Sequence, residues 1–400
     1  MARHYHCISA DSHLEVAPEL WTDRMPAKYR DRAPRRVTLP DGSDGCLVEN
    51  QPLLLNGLNL CGKPYEEYSP VGVSWEGAAG AGTPEQRIAE QDRDGIDAEV
   101  LFTGVGGPNL WRGIGSDDAY RSVLRAYNDF LAEDYCSVDP DRLIGLGVVP
   151  ETSIADAIAE IEHCAKLGLK GVTLNSFPSG KGLATPEDDE FWTAAIDLDI
   201  ALTVHIVFGF PANYSGPTAI YPREPEEIGQ AGNDTVRRYA NYAIRGGRNA
   251  MQMVFAGVFD RFPKLKIYFA ETQIGWIPNW LEQMDYSYAR NRHWSERVLG
   301  LKPLARQPSE YVREHCWWGV LLNPIGVRLR HEIGVDRIMW ATDFPHSETD
   351  WPNSQEMAIK PNFEGVPEDE VYRMIAGNAI EFFKLDAVAD SASDRAAAAE

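Results

Sequence analysis

The chain has 400 residues, 60 acidic against 38 basic, for a formal net charge of −22. That balance excludes nucleic acid and anionic membrane as partners, because both are bound through basic patches. A hydrophobic fraction of 44% supplies a large core, enough for two average domains or for one large α/β barrel with insertions.

Cys7, Cys46, Cys61, Cys136, Cys164 and Cys316 are scattered with no C-x-x-C pair, which fits a reducing compartment better than a disulfide framework. No N-terminal stretch resembles a signal peptide and no apolar run approaches a membrane span, so a soluble, cytoplasmic protein is expected.

In chain order, Cys7 to Ala10 is a short apolar run that stops at Asp11-Ser12-His13. Residues 22–82, rich in Pro, Gly and charge, form an insertion after this first strand. Gln86 to Asp94 is predicted helical, and Ile96 to Phe102 is a strand that enters a glycine-rich loop. Ala119 to Tyr135 carries apolar residues at three- and four-residue intervals, the mark of an amphipathic helix. Leu143 to Val149 is a strand, followed by a helix that Ser153 caps, running through Lys166 to end at Gly168. Leu169 to Leu174 is a strand, Asp188 to Leu198 a helix and Ala201 to Ile206 a strand. Thr235 to Phe259 is helical with an interruption at Gly246-Gly247. Lys266 to Glu271 is a strand and Trp276 to Arg290 a helix. Trp317 to Leu322 is a strand, with a short helix near Gly326 to Ile333. Arg337 to Asp343 is the eighth strand, and Pro367 caps a closing helix through Phe383. Residues 385–400, alternating Ala, Asp and Ser, form a disordered tail.

Eight strands nearly all separated by helices imply parallel pairing. The fold class is therefore α/β, a (β/α)8 TIM-like barrel occupying residues 1–384 as a single domain.

The strand ends carry the chemistry. The first strand ends at Asp11-x-His13, the fifth at His205, the sixth at Glu271 and the eighth at Asp343. In a parallel barrel all these ends lie on one rim, where active sites of this fold are built. Met339, Ala341 and Asp343 alternate onto one face of the last strand, which aims the Asp343 carboxylate inward. Two imidazoles and three carboxylates converging there repel or desolvate one another unless a divalent cation neutralises them. Asp11, His13, His205, Glu271 and Asp343 are thus the candidate metal ligands. Imidazole with carboxylate suits zinc first, with iron or manganese next, and no cysteine joins the set.

Several stretches together resemble the amidohydrolase-related family of metal-dependent hydrolases and decarboxylases, in the branch that includes aminocarboxymuconate semialdehyde decarboxylase. They are Ile8-Ser9-Ala10-Asp11-Ser12-His13, Thr203-Val204-His205, the run from Gly257 to Lys266, the run from Ala270 to Pro278, and Ala341 to His346. The resemblance implies a distorted barrel with a metal on its C-terminal rim. Asp11 and His13 fill the strand-one ligand pair, His205 the strand-five ligand and Asp343 the strand-eight acid. Glu271 stands where decarboxylating relatives carry a histidine, which makes it a candidate ligand and leaves room for one ion or two. A homodimer is also implied, with the Trp317-Trp318 pair and the 22–82 segment as candidate contact surfaces.

Hydrolysis is the leading expectation: a metal-activated water cleaves an amide, ester, lactone or thioester of a hydrophobic or cyclic small molecule. Asp343 and Glu271 are candidate proton-transfer groups. His346 is a candidate to stabilise an oxyanion or shuttle a proton. The alternative is metal-dependent non-oxidative decarboxylation of an aromatic or unsaturated acid. Trp111, Phe208, Trp276 and Trp351, with Phe177, Phe210 and Tyr214, are candidate pocket aromatics. Arg112 and Arg223 are candidate carboxylate binders.

Overall fold

A computed structural model describes residues 3–39, 42–49, 54–55, 61–68, 72–104, 107, 111–205, 208–209 and 244–388. The first strand, β1 (Ile8–Leu14), is buried along its whole length. The chain then makes short 3-10 turns and an antiparallel sheet of β2 (Arg35–Thr38), β3 (Asp44–Leu47) and β4 (Leu54–Leu55). The remaining strands are β5 (Ala98–Thr103), β6 (Leu143–Val148), β7 (Gly171–Leu174), β8 (Ala201–Val204), β9 (Ile267–Phe269), β10 (Cys316–Val320) and β11 (Ile338–Trp340). With β1 they form an eight-stranded parallel sheet in sequence order, the (β/α)8 barrel expected from the alternation.

Alternation of side chains sorts the core into two layers. Ile8 and Ala10, Ala98, Val100 and Phe102, Ile144 and Leu146, and Tyr268 and Ala270 pack together inside the barrel, closed by Phe382 and Phe383 of the last helix. The opposite faces of the strands pack against the helices, for example through Leu101, Val123 and Ile161. Local signals fix the helices. Ser153 accepts from the Asp156 amide at 3.1 Å to start Ile154–Leu167, and Gly168 at φ 86° ends it.

Three expectations change. Gly246 and Gly247 do not interrupt a helix; they lie within Arg245–Phe255. A Cβ on Gly246 would meet Thr272 at 2.6 Å and one on Gly247 would meet Trp276 at 2.7 Å, so glycine here permits close packing. The break comes at Gly257, at φ 67°, and residues 235–243 of the expected helix lie outside the described residues. Trp317 and Trp318 are buried, Trp317 against Phe382 and Trp318 stacked on Phe269, so neither offers a contact surface. Residues 385–388 of the expected tail are tied to the N-terminal segment. Asp386 accepts from the Arg3 amide at 2.8 Å and the Val388 amide donates to Arg3 at 2.9 Å; residues 389–400 lie outside the described residues.

The barrel closes between β1 and β11 without a β-ladder among the described residues. The Asp343 amide donates to Asp11 O at 2.9 Å and the His13 amide to Phe344 O at 2.7 Å. Beneath these bonds the hydroxyls of Ser9, Ser12 and Thr342 lie 3.0–3.1 Å apart, and the Thr342 amide donates to Ser9 Oγ at 2.9 Å. Ser9→Ala leaves that buried amide without its acceptor. It is expected to lower the unfolding free energy by about 1–3 kcal/mol in urea denaturation, and an unchanged midpoint would show that the triad does not hold the seam.

Candidate metal centre

β1 runs past the point where its apolar residues stop, so Asp11 and His13 both lie within it and both are buried. His205 follows directly on β8, whose last residue is Val204. Glu271 and Asp343 lie just beyond β9 and β11 at φ 55° and 57°, a conformation that non-glycine residues seldom adopt. The expected extended stripe therefore fails at its last member. Strand alternation ends at Trp340, and a left-handed residue bonded to Asp11 across the seam sets the direction of the Asp343 side chain.

The five side chains meet. His13 Nδ1 donates to Thr103 O at 2.8 Å, which leaves Nε2 with its lone pair toward the centre. That Nε2 lies 3.1 Å from Asp343 Oδ1 and 3.5 Å from Asp11 Oδ1. His205 Nε2 lies 3.5 Å from Asp11 Oδ2 and 3.4 Å from Glu271 Oε2. Asp11, His13 and His205 each offer an atom within 4.8 Å of the others, as do Glu271, Asp343 and the exposed Glu348. Ligands about 2.1 Å from a shared ion stand roughly 3–4 Å apart, so this spacing suits a divalent cation.

Buried polar atoms test the fit. Both oxygens of Asp11 and of Asp343, with Nε2 of His13 and of His205, make no hydrogen bond to any described residue. Leaving such atoms bare costs about 1–3 kcal/mol each, more for charged groups. A cation at their common focus satisfies them together.

Charge follows the same geometry. Burial disfavours a proton on His205, but Asp11, Glu271 and Asp343 outweigh it and push the imidazole from 6.5 up to about 9 in the ion-free protein. Burial, then Asp343 and Asp11, push Glu271 well above the usual carboxylate range. Burial opposes the charge on Asp343 too, yet His346 and His13 hold it below that range.

His346 lies at the edge of the site, hydrogen-bonded to Glu15 through Nε2 and at ion-pair distance from Asp343 through Nδ1. Nδ1 is 3.1 Å from Asp343 Oδ1 and Nε2 is 3.0 Å from Glu15 Oε1, while the ring stacks on His13 at 3.8 Å. Burial disfavours a proton on His346, but Asp343 and Glu15 outweigh it and raise its pKa. Glu15 is the residue that sequence reasoning missed. The signal was there: Asp11-x-His13-x-Glu15 continues the strand's period of two.

The aromatic candidates divide. Trp111 is buried between Trp21 and Tyr127, with ring centroids 5.2 Å from each, so it is core. Trp276 donates from Nε1 to Thr272 O at 2.8 Å and packs on Trp280 and Trp318. Trp351 donates to Glu90 O at 3.1 Å and packs on Phe344, which pins a loop. The Phe208 amide donates to His205 O at 3.0 Å, and its ring is set edge-on to Phe177. Arg112 lies 3.4 Å from Asp117 and over the Tyr120 ring. Phe210, Tyr214 and Arg223 lie outside the described residues.

A family profile described as Amidohydrolase matches residues 10–385. The chain belongs to the amidohydrolase family. Decarboxylase orsB of Emericella nidulans is 27% identical over 277 residues, 65% of this chain and 73% of that protein. The 2-amino-3-carboxymuconate-6-semialdehyde decarboxylase of Dictyostelium discoideum is 25% identical over 311 residues, 76% of this chain and 77% of that protein. A 5-carboxyvanillate decarboxylase from Novosphingobium aromaticivorans was solved with bound manganese and 3-methoxy-4-hydroxy-5-nitrobenzoic acid. It matches with a TM-score of 0.64 at 20% identity, over 96% of this chain and 100% of that one. No helix among the described residues is long and apolar enough to cross a membrane.

These relatives overturn the expectation of hydrolysis, because they are decarboxylases. An ion on a rim beside an acid serves either reaction, so the ligand motif alone does not choose between them. Glu271, standing where decarboxylating relatives carry a histidine, does not outweigh them. The preference for zinc also finds no support, since the ion in the solved neighbour is manganese.

A cation must displace the proton that His205 holds at neutral pH. Apparent manganese affinity is therefore expected to rise about tenfold per pH unit up to about 9, in calorimetric titration. The chelated protein runs the other way. The stability His205 contributes is whole below 6.5 and lost as pH rises through about 9, so its Tm falls across that window. An affinity that stays flat between pH 7 and 9 would show that no proton on His205 competes with the cation.

Proposed function

We propose that this protein is a metal-dependent, non-oxidative decarboxylase of an aromatic or unsaturated carboxylic acid. The observation that carries the reading is its match to decarboxylases over 65% and 76% of its length. The convergence of buried imidazoles and carboxylates on the barrel rim agrees with it. Asp11, His13, His205 and Asp343 would hold the ion, with Glu271 as a further candidate ligand. Two imidazoles among hard oxygens suit manganese(II), and the manganese of the solved neighbour favours it over zinc.

A bound divalent ion supplies positions for the substrate carboxylate and a neighbouring oxygen, and stabilises the charge that develops as the carbon–carbon bond breaks. Asp343 relays a proton taken from His346 to the carbon that loses carbon dioxide, and solvent returns the proton to His346. The electron pair of the broken bond ends in the new C–H bond, so no oxidant, reductant or water is consumed. His346, 3.1 Å from Asp343, is placed to supply that proton to it. Glu15 orients that imidazole from its other nitrogen. Phe208 and Phe177, edge-on at 5.0 Å, give an apolar wall suited to a planar substrate.

Manganese-loaded protein offered a panel of hydroxylated benzoates and unsaturated dicarboxylic acids is expected to release carbon dioxide in step with product. In D2O the product carries a single deuterium at the carbon that lost it. His346→Gln is expected to keep its metal while kcat drops by about 10²–10⁴-fold. If stoichiometrically loaded protein releases carbon dioxide from no member of the panel, the assignment falls.

A further inference from the structure

Four residues of the site and its edge straddle the barrel seam, Asp11 and His13 on one side, Asp343 and His346 on the other. Because no ladder pairs β1 with β11 among the described residues, the spacing across that seam depends on isolated bonds. Arg87 reaches both sides. It lies on the helix Pro84–Asp94 and is 1% exposed. Its Nη1 donates to His13 O at 2.9 Å and its Nη2 to Phe344 O at 3.3 Å. Phe344 O also receives the His13 amide, so the guanidinium and the seam share one acceptor.

The guanidinium is itself fixed. Nε and Nη2 donate to the two oxygens of Glu99 on β5 at 2.6 and 3.2 Å, and Gln91 holds Glu99 at 2.8 Å. The plane also lies over the Phe344 ring, 4.5 Å from its centroid. A rigid fork with donors on three nitrogens can span two carbonyls and a carboxylate at once, and an ammonium cannot. A pair serving stability alone requires only Glu99. The two additional carbonyls belong to His13 and to the residue after Asp343.

We propose that Arg87 is a positioning residue for the metal centre, setting the distance between His13 and Asp343 across the seam while touching neither ion nor substrate. This rests on the reading of His13 and Asp343 as ligands.

Three variants test it: Arg87→Lys, which keeps the charge opposite Glu99; Arg87→Met with Glu99→Gln, which removes both charges together; and Arg330→Lys, which alters the separate Arg330–Glu370 ion pair. Manganese affinity and the electron paramagnetic resonance spectrum of bound manganese are measured beside thermal unfolding of the chelated proteins. Arg87→Lys is expected to bind manganese about 10–100-fold more weakly with an altered spectrum. The double variant is expected to behave likewise, and Arg330→Lys to match wild type in both readouts, whatever its Tm. Wild-type affinity and spectrum in Arg87→Lys would overturn the role of Arg87 and leave the metal reading intact. A wild-type protein that takes up no manganese would overturn the metal reading, and this inference with it.

Discussion

The closure of the barrel between β1 and β11 is the contact on which the site depends. Seven neighbouring strand pairs are held by ladders, which repeat their bonds and so tolerate the loss of one. The eighth junction has two backbone bonds, three hydroxyls and one guanidinium. The candidate ligands of β1 and the acid beyond β11 are fixed relative to each other by these few groups. A barrel that closes poorly there loses its ligand geometry before it loses its fold.

The centre itself is an electrostatic concentration that the fold tolerates only with compensation. Asp11, Glu271 and Asp343 are all buried, and carboxylates are seldom buried without cations. In the ion-free protein, protons on His205 and His346 partly balance them. Glu271 and Asp343 also sit in left-handed backbone conformations, which cost of order 1–3 kcal/mol each. Both lie just past the end of their strands, where the chain turns into a loop. Strain at the two acids is consistent with carboxylates held where a ligand needs them rather than where a strand would leave them.

The same arrangement explains why ligand identity alone did not separate two chemistries. Hydrolysis asks the acid beside the ion to take a proton from water, and decarboxylation asks it to give one to carbon. His346 bears on that difference. One of its nitrogens faces Asp343 and the other Glu15, which places it to exchange a proton with Asp343 in the proposed reaction.

By itself the sequence determined the order and kind of the elements, because capping residues, glycine stops and hydrophobic period are local properties. Ser153, Gly168 and Pro367 mark helix ends within a residue of where they fall. It also put Asp11, His13, His205, Glu271 and Asp343 on one rim, since parallel strands end there together, while the left-handed turns at Glu271 and Asp343 and the seam bond to Asp11 set how those side chains meet. The tertiary structure decided what fills the space around them. Trp111 and Trp351 became packing residues, and Gly246 and Gly247 a close approach instead of a break, because their partners lie far along the chain. The period of two that places Asp11 and His13 also reaches Glu15, but its contact with His346, and those of Arg87 with His13 and Phe344, join residues distant in sequence and come from the tertiary structure. Local sequence sets what a residue can offer; the barrel's closure sets what it is offered to.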